Sequence, residues 1–249
     1  DLNGDGKADL LIGTNDGPMV HYRNAGSSGL ASFVLESTDY QNLSTQTGQA
    51  TAPEIADFNR DGKPDLFVGT KEGKIQYYEN TGTITVPAFT LQNAQLGGIH
   101  VAQFFTGYAV PRLTDLNKNG LYDLVVGTER GRVYFYPEIE AQAGNYPARN
   151  VAFFYPETGV YDSTRVSFST TPCVGLLNED TLPDLLVGTF RGGVLAFRNT
   201  LSSVSVAPNE LDEKALWVYP NPSAGEVMVR LQAGDALSMQ TLRIFDVQG

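Results

Sequence analysis

Four stretches of the chain place oxygen-bearing side chains at alternate positions: DLNGDGKADLLIGT from Asp1, DFNRDGKPDLFVGT from Asp57, DLNKNGLYDLVVGT from Asp115 and LLNEDTLPDLLVGT from Leu176. In a tight turn the donors at positions one, three and five converge on one point. A backbone carbonyl at position seven and an acid at position nine complete the set, and Gly at position six permits the sharp reversal. An all-oxygen set suits a hard cation. Ca²⁺, which takes roughly 6 to 8 oxygens, fits better than Mg²⁺, which keeps its waters in a tighter octahedron. The first loop offers Asp1, Asn3, Asp5, the carbonyl of Lys7 and Asp9; the second offers Asp57, Asn59, Asp61, the carbonyl of Lys63 and Asp65. In the third the donors are Asp115, Asn117, Asn119, the carbonyl of Leu121 and Asp123. The fourth retains Asn178, Asp180 and Asp184, but Leu176 stands at position one and Thr181 at position six.

Asp, Asn and Gly also cap turns by bonding their own backbone, with no metal involved. Three near-complete copies in one register favour the cation, while the two departures in the fourth loop favour the plain turn there. Without a cation, crowded carboxylates would raise one another's pKa and strain the loop. The number of carboxylates predicts that the first two loops bind more tightly than the third. An EF-hand loop begins in the same way but needs an acid at position twelve. Here that position is Ile12, Val68, Val126 or Val187.

The loops start 56, 58 and 61 residues apart, a period that suits a four-stranded unit. PEIA, PRLT and PCVG, from Pro53, Pro111 and Pro172, precede three of the loops and predict a first strand, A. The apolar runs Leu10 to Ile12, Leu66 to Val68, Leu124 to Val126 and Leu185 to Val187 predict a strand B buried on both faces. A Gly-Thr-x-x-Gly turn follows, ending at Gly17, Gly73, Gly131 and Gly192. Strand C then aligns Met19, Ile75, Val133 and Val194 on one face, and Tyr22, Tyr78, Tyr136 and Phe197 on the other. SFVLE from Ser32, AFTLQ from Ala88 and VAFFY from Val151 predict strand D. Repeated antiparallel sheets of this kind make an all-β fold of β-propeller blades, which hide their edges in a ring. The first unit lacks strand A, and four units are expected to be part of a larger ring, a small four-bladed ring being the alternative.

The chain's 249 residues carry 28 acidic against 17 basic side chains, a net charge of -11 that repels nucleic acid and anionic lipid. No apolar run is long enough for a membrane helix, and DLNGDGKADL has no signal-peptide pattern. The single cysteine, Cys173, forms no internal disulfide and reads as a strand residue beside Glu54 and Arg112 in the strand A column. His21 shares its strand C column with Tyr77, Phe135 and Ala196, and reads as packing; His100 lies before the third unit. No zinc-protease pair, nucleophile elbow, phosphate loop or dinucleotide fingerprint occurs, so no catalytic residue is assigned.

The loops, the strand that follows each and the Gly-Thr turn resemble the FG-GAP or VCBS repeats of calcium-binding β-propellers, similar to the integrin α-subunit head, over residues 1–206. The resemblance implies a Ca²⁺ site in each A–B hairpin and a binding or adhesion role rather than catalysis. After a polar linker, APNELDEKA (207–215), residues 216–249 contain Tyr219-Pro220-Asn221-Pro222 and Phe245-Asp246-Val247-Gln248-Gly249. This segment resembles the start of the C-terminal sorting domain of Bacteroidota type IX secretion cargo, part of a small β-sandwich. That implies export across the outer membrane, release or attachment at the cell surface, and docking on outer-membrane secretion components. A non-catalytic propeller of a larger secreted enzyme, such as a polysaccharide-degrading one, and a catalytic propeller remain as alternatives.

Strand alternation puts the B–C turns and the D–A connections on the rim opposite the metal loops. Those connections span approximately 36–50, 93–107 and 157–169 and carry Tyr40, His100, Phe104, Phe105, Tyr161 and Phe168. They are the expected site for a carbohydrate or protein ligand, with Tyr40 or Tyr161 exposed.

Overall fold

The computed structural model describes residues 1–27, 29–102, 106–148, 168–190 and 192–199 in full, and the backbone alone of the strands at 149–150, 153–155, 160–162, 217–219, 228–233 and 236–240. Strands dominate the described residues, with one helical turn, α1 (Ser44–Thr47), and three short 3-10 turns. The first sheet is β1 (Leu10–Gly13), β2 (Met19–Asn24) and β3 (Phe33–Ser37); the second is β4 (Ala52–Ala56), β5 (Asp65–Gly69), β6 (Ile75–Asn80) and β7 (Phe89–Asn93). The third is β8 (Val110–Thr114), β9 (Asp123–Gly127), β10 (Val133–Tyr136) and β11 (Arg149–Asn150). A separate hairpin, β12 (Phe153–Tyr155) with β13 (Val160–Asp162), leads to the fourth sheet. That sheet runs from β14 (Thr170–Gly175) through β15 (Asp184–Thr189) and β16 (Val194–Phe197) to β17 (Trp217–Tyr219), β18 (Met228–Ala233) and β19 (Ala236–Gln240). Within each sheet, neighbours are consecutive in sequence and antiparallel, the arrangement of propeller blades.

Two details depart from the sequence reading. In the third unit the strand that pairs with Tyr134 and Phe135 is Arg149–Asn150, not the VAFFY run; Phe153–Tyr155 pairs instead with Val160–Asp162. A partner a few residues away closes a shorter loop than β10 would, which makes the local hairpin the cheaper pairing. The second departure is β1. β5 and β9 are buried along their whole lengths, but Leu10 and Ile12 on β1 are 39% and 42% exposed. Their counterparts Leu66 and Val68 pack against Leu2, Met19, Tyr40 and Leu43 of the first unit, whereas no described sheet covers that face of β1. The expected linker at 207–215 lies outside the described residues.

The core is laid down between sheets. Met19 and Tyr78 meet between the first and second units, Ile75 and Tyr136 between the second and third, and Val133 and Val187 between the third and fourth. The second and third sheets therefore bury their two strand C columns against opposite neighbours, as alternation of side chains demands. Val194, at the end of its column, is exposed.

The Gly-Thr pairs join the units. A Cβ on Gly13, Gly69 or Gly127 would lie 1.8, 2.0 or 2.2 Å from the carbonyl oxygen of Thr51, Ala109 or Thr170 in the next unit, so only glycine fits there. Through the adjoining threonines, Thr51 N donates to the carbonyl of Thr14, Ala109 N to that of Thr70 and Thr170 N to that of Thr128. The first strands then lie side by side. Across them the Arg112 guanidinium pairs with Glu54 of the second unit and donates to the Pro172 carbonyl of the fourth at 3.1 Å. Cys173 is exposed on the same stretch of β14. Among the described residues no helix is long and apolar enough to cross a membrane.

Candidate metal centre

Each loop connects strands A and B or, in the first unit, leads into strand B. Positions four and six are left-handed in the first three loops: Gly4 and Gly6, Arg60 and Gly62, Lys118 and Gly120. In the fourth loop only Thr181 is left-handed, at φ 68°, a conformation a β-branched residue adopts under strain. Position six thus stays left-handed without its glycine, while position four does not.

The position-nine acids anchor the loops. Asp65 is fully buried and its Oδ1 accepts the Asn80 amide at 2.8 Å, while Oδ2 accepts the Tyr77 hydroxyl at 3.0 Å and the Phe58 amide at 3.3 Å. Asp9, Asp123 and Asp184 accept the matching amides of Asn24, Glu138 and Asn199, each at 2.8 Å. Burial pushes the Asp123 carboxyl up, against the amides of Glu138 and Leu116 and with the repulsion of Asp115. Burial also opposes ionisation of Asp9, but amide bonds from Asn24 and Leu2 and the nearby His21 hold its carboxyl below the usual range.

The remaining donors curl around the turn backbone. Asp1 Oδ1 accepts the Gly4 amide at 2.7 Å and Oδ2 the Gly6 amide at 2.8 Å, Asn3 accepts from Asp5, and Asp5 from Lys7. In the second loop Asp57 Oδ2 accepts the Gly62 amide at 3.0 Å, Asn59 accepts from Asp61, and Asp61 from Lys63. The third loop repeats this with Asp115 to Gly120 and Asn119, Asn117 to Asn119, and Asn119 to Leu121.

Among the described residues no three Asp, Glu, His or Cys side chains converge tightly enough to hold an ion by themselves. The loops mix carboxylates with Asn and carbonyl oxygens, and the carboxylates are turned onto backbone amides. One oxygen is left over: Asp57 Oδ1 is buried and has no hydrogen-bond partner. A buried carboxylate oxygen without a partner is costly, and a cation at the loop would satisfy it. With only oxygen donors around it, the second loop fits a hard cation.

Three cationic side chains were missed in the sequence. Lys63, assigned only through its carbonyl, sends its amine to Asp61 at 2.9 Å and to the Asn80 carbonyl at 2.8 Å. Lys7 approaches Asp5 at 3.7 Å in the same way. In the fourth loop the Arg198 guanidinium donates to Asp180 Oδ2 from two nitrogens, at 3.1 and 2.9 Å. Hydrogen bonding to Arg198 holds the Asp180 carboxyl below the usual range. Here a guanidinium holds the position-five acid from two nitrogens, where the first two loops have a single amine, and Leu176 removes the position-one acid, which is consistent with reading this loop as a turn. For Lys7 and Lys63 the signal was a lysine two residues after the position-five acid, but 18 residues separate Arg198 from Asp180 and no spacing rule pairs them.

The opposite rim is where alternation put it. Ala50 N donates to the Asn15 carbonyl, Glu129 N to Gly107 and Ser169 N to Glu129, so the D–A connections lie on the B–C turns. Of the two tyrosines of which at least one was expected at the surface, Tyr40 is buried. The connection turns back through α1, and Tyr40 packs beside His21, with ring centroids 5.1 Å apart, and beside Leu43 and Met19. His21 is buried, as expected for a packing residue. His100 is exposed, and Phe168 is exposed 6.4 Å from Phe190. Phe104, Phe105 and the side chain of Tyr161 lie outside the described residues.

A repeated loop that ties off a four-stranded blade, with a Gly-Thr junction to the next, defines a class of blade-building repeat. The chain belongs to the FG-GAP-like repeat family, whose pattern it matches at residues 1–68 and 57–126. It is similar to integrin alpha pat-2 of Caenorhabditis elegans, 27% identical over 248 aligned residues that cover 87% of this chain and 19% of that protein. Integrin alpha-6 of Homo sapiens is 24% identical over 192 residues, covering 70% of this chain and 16% of the relative. Integrin alpha-4 of Xenopus laevis is 27% identical over 141 residues, covering 51% and 13%. The chain thus spans less than a fifth of the length of each of these relatives.

Proposed function

We propose that this chain is a calcium-stabilised recognition module of a secreted or cell-surface protein, acting by binding or adhesion rather than by catalysis. The partnerless Asp57 Oδ1 carries the metal part of this reading. Asp1, Asn3, Asp5, the Lys7 carbonyl and Asp9 would hold one ion. Asp57, Asn59, Asp61, the Lys63 carbonyl and Asp65 would hold a second, and Asp115, Asn117, Asn119, the Leu121 carbonyl and Asp123 a third. Bound Ca²⁺ supplies charge neutralisation and an oxygen-coordinating centre, and the chain's own turns fix where those oxygens lie. Calorimetric titration is expected to find three Ca²⁺ per chain, and to find three still after Asp180→Ala. A chain that takes up no Ca²⁺ would overturn the reading.

A rigid array of blades leaves its connecting loops free to vary, which is why recognition belongs on the rim opposite the metal loops. His100, Phe168 and Phe190 are the exposed groups there that suit a carbohydrate or protein ligand. For residues 216–249 we propose the role of an export address that docks on outer-membrane type IX secretion components. Deletion of 216–249 from the exported protein should leave it in the periplasm, as cell fractionation would show; undiminished export would refute the assignment.

A further inference from the structure

The second and third loops are mechanically joined by one side chain. Arg60 occupies position four of the second loop, between the donors Asn59 and Asp61, with its backbone left-handed at φ 60°. Its guanidinium leaves that loop altogether. Nε donates to Glu140 Oε1 at 2.6 Å and Nη2 to Glu140 Oε2 at 2.8 Å, a two-pronged charge-assisted pair. Nη2 also donates to the Gly120 carbonyl at 2.8 Å, and the guanidinium lies 4.5 Å from the centre of the Tyr122 ring. Gly120 and Tyr122 are positions six and eight of the third loop, and Glu140 accepts the Tyr122 amide as well. Hydrogen bonding to Arg60, opposed by burial, holds the Glu140 carboxyl below the usual range. Gly120 in turn donates its amide to Asp115 and sits between Asn119 and Leu121.

We infer that Arg60 couples the second and third loops, so that ordering either one around a cation raises the affinity of the other. This rests on the calcium reading above and adds a regulation to it. Both loops must adopt a fixed turn to present their oxygens. Arg60 transmits that order because its backbone belongs to one turn and its guanidinium is bonded to the carbonyl of the other. Order imposed by the first cation lowers the entropy cost of the second, and the effect is reciprocal. The device is specific to this pair. Position four of the first loop is Gly4, which has no side chain to extend, and that of the third is Lys118, which lacks the planar fork.

The test is a Ca²⁺ titration followed separately at the NMR amide signals of Gly62 and Gly120. Disabling the third loop with Asp115→Asn should raise the half-saturation point at Gly62 by about fivefold or more. In an Arg60→Ala background the same Asp115→Asn change should leave the Gly62 midpoint where it is. Arg60→Lys, which keeps the charge and the stem, should lose most of the coupling and serves if the alanine variant does not fold. Hydrogen exchange gives a readout apart from affinity. In the Asp115→Asn protein, filling the second loop should slow exchange at Gly120 only while Arg60 is present. A Gly62 midpoint that moves equally with and without Arg60, or not at all, overturns the coupling and leaves calcium binding standing. The absence of any Ca²⁺ response at either amide overturns both.

Discussion

Chelation of Ca²⁺ is expected to lower the thermal unfolding midpoint of this chain by roughly 15 to 30 °C. A site held at about a hundred-fold excess of free ion over its Kd contributes about 2.7 kcal/mol to the folded state. For a chain of this length each kcal/mol moves the midpoint by roughly 2 to 4 °C, so three filled loops reach that range. Single substitutions should divide the effect. Asp57→Ala and Asp115→Ala are each expected to remove more than a third of the Ca²⁺-dependent shift, since each also weakens the loop that Arg60 couples to it, while Asp180→Ala leaves it intact because its loop lacks the position-one acid and Arg198 already holds that carboxylate. The count of carboxylates by itself ranks the third loop below the second. Lys63 narrows the difference, since three acids offset by one amine carry the same net charge as the two acids of the third loop. Differential scanning calorimetry in Ca²⁺ and in chelator reads all of this, and a midpoint that ignores the ion would remove the metal from the account.

Asp65→Ala is expected to destabilise the chain by about 3 to 4 kcal/mol even in chelator, because an unsatisfied buried donor costs roughly 1 to 3 kcal/mol. The substitution removes the acceptor for the Asn80 and Phe58 amides and for the Tyr77 hydroxyl in a fully buried position. Asp65→Asn keeps an oxygen for the Asn80 amide and should cost less. Urea denaturation in chelator separates the two roles of the residue. A loss below about 1 kcal/mol there would mean that Asp65 serves only a cation and does not tie the loop to strand C.

Much of this molecule is written locally. The turn shape of each loop follows from Asp, Asn and Gly at neighbouring positions, which bond amides two to five residues away. Strands B and C and the hairpin between them follow from an apolar run, a Gly-Thr-x-x-Gly turn and an alternating run, since adjacent antiparallel strands need only a short closure. Strand D was legible where the preceding connection is short, as at Phe33–Ser37 and Phe89–Asn93, and was misplaced in the third unit, where β13 offered a nearer partner.

The tertiary structure decided what spans units. Arg60 meets Glu140 across 80 residues and Arg112 meets Glu54 across 58, and in sequence each is an ordinary surface arginine. Gly13, Gly69 and Gly127 were legible as glycines of a motif, yet their requirement comes from the carbonyl of the next unit pressed against them. Tyr40 is aromatic and lies in a connection, features of a contact residue, until α1 folds the connection under β2 and closes it into the core. Spacing along the chain fixes which oxygens share a turn, because those atoms are never far apart. Which cation or carboxylate each turn faces, and which side chain a neighbouring sheet covers, depends on the packing of units distant in sequence, and no local pattern encodes that distance.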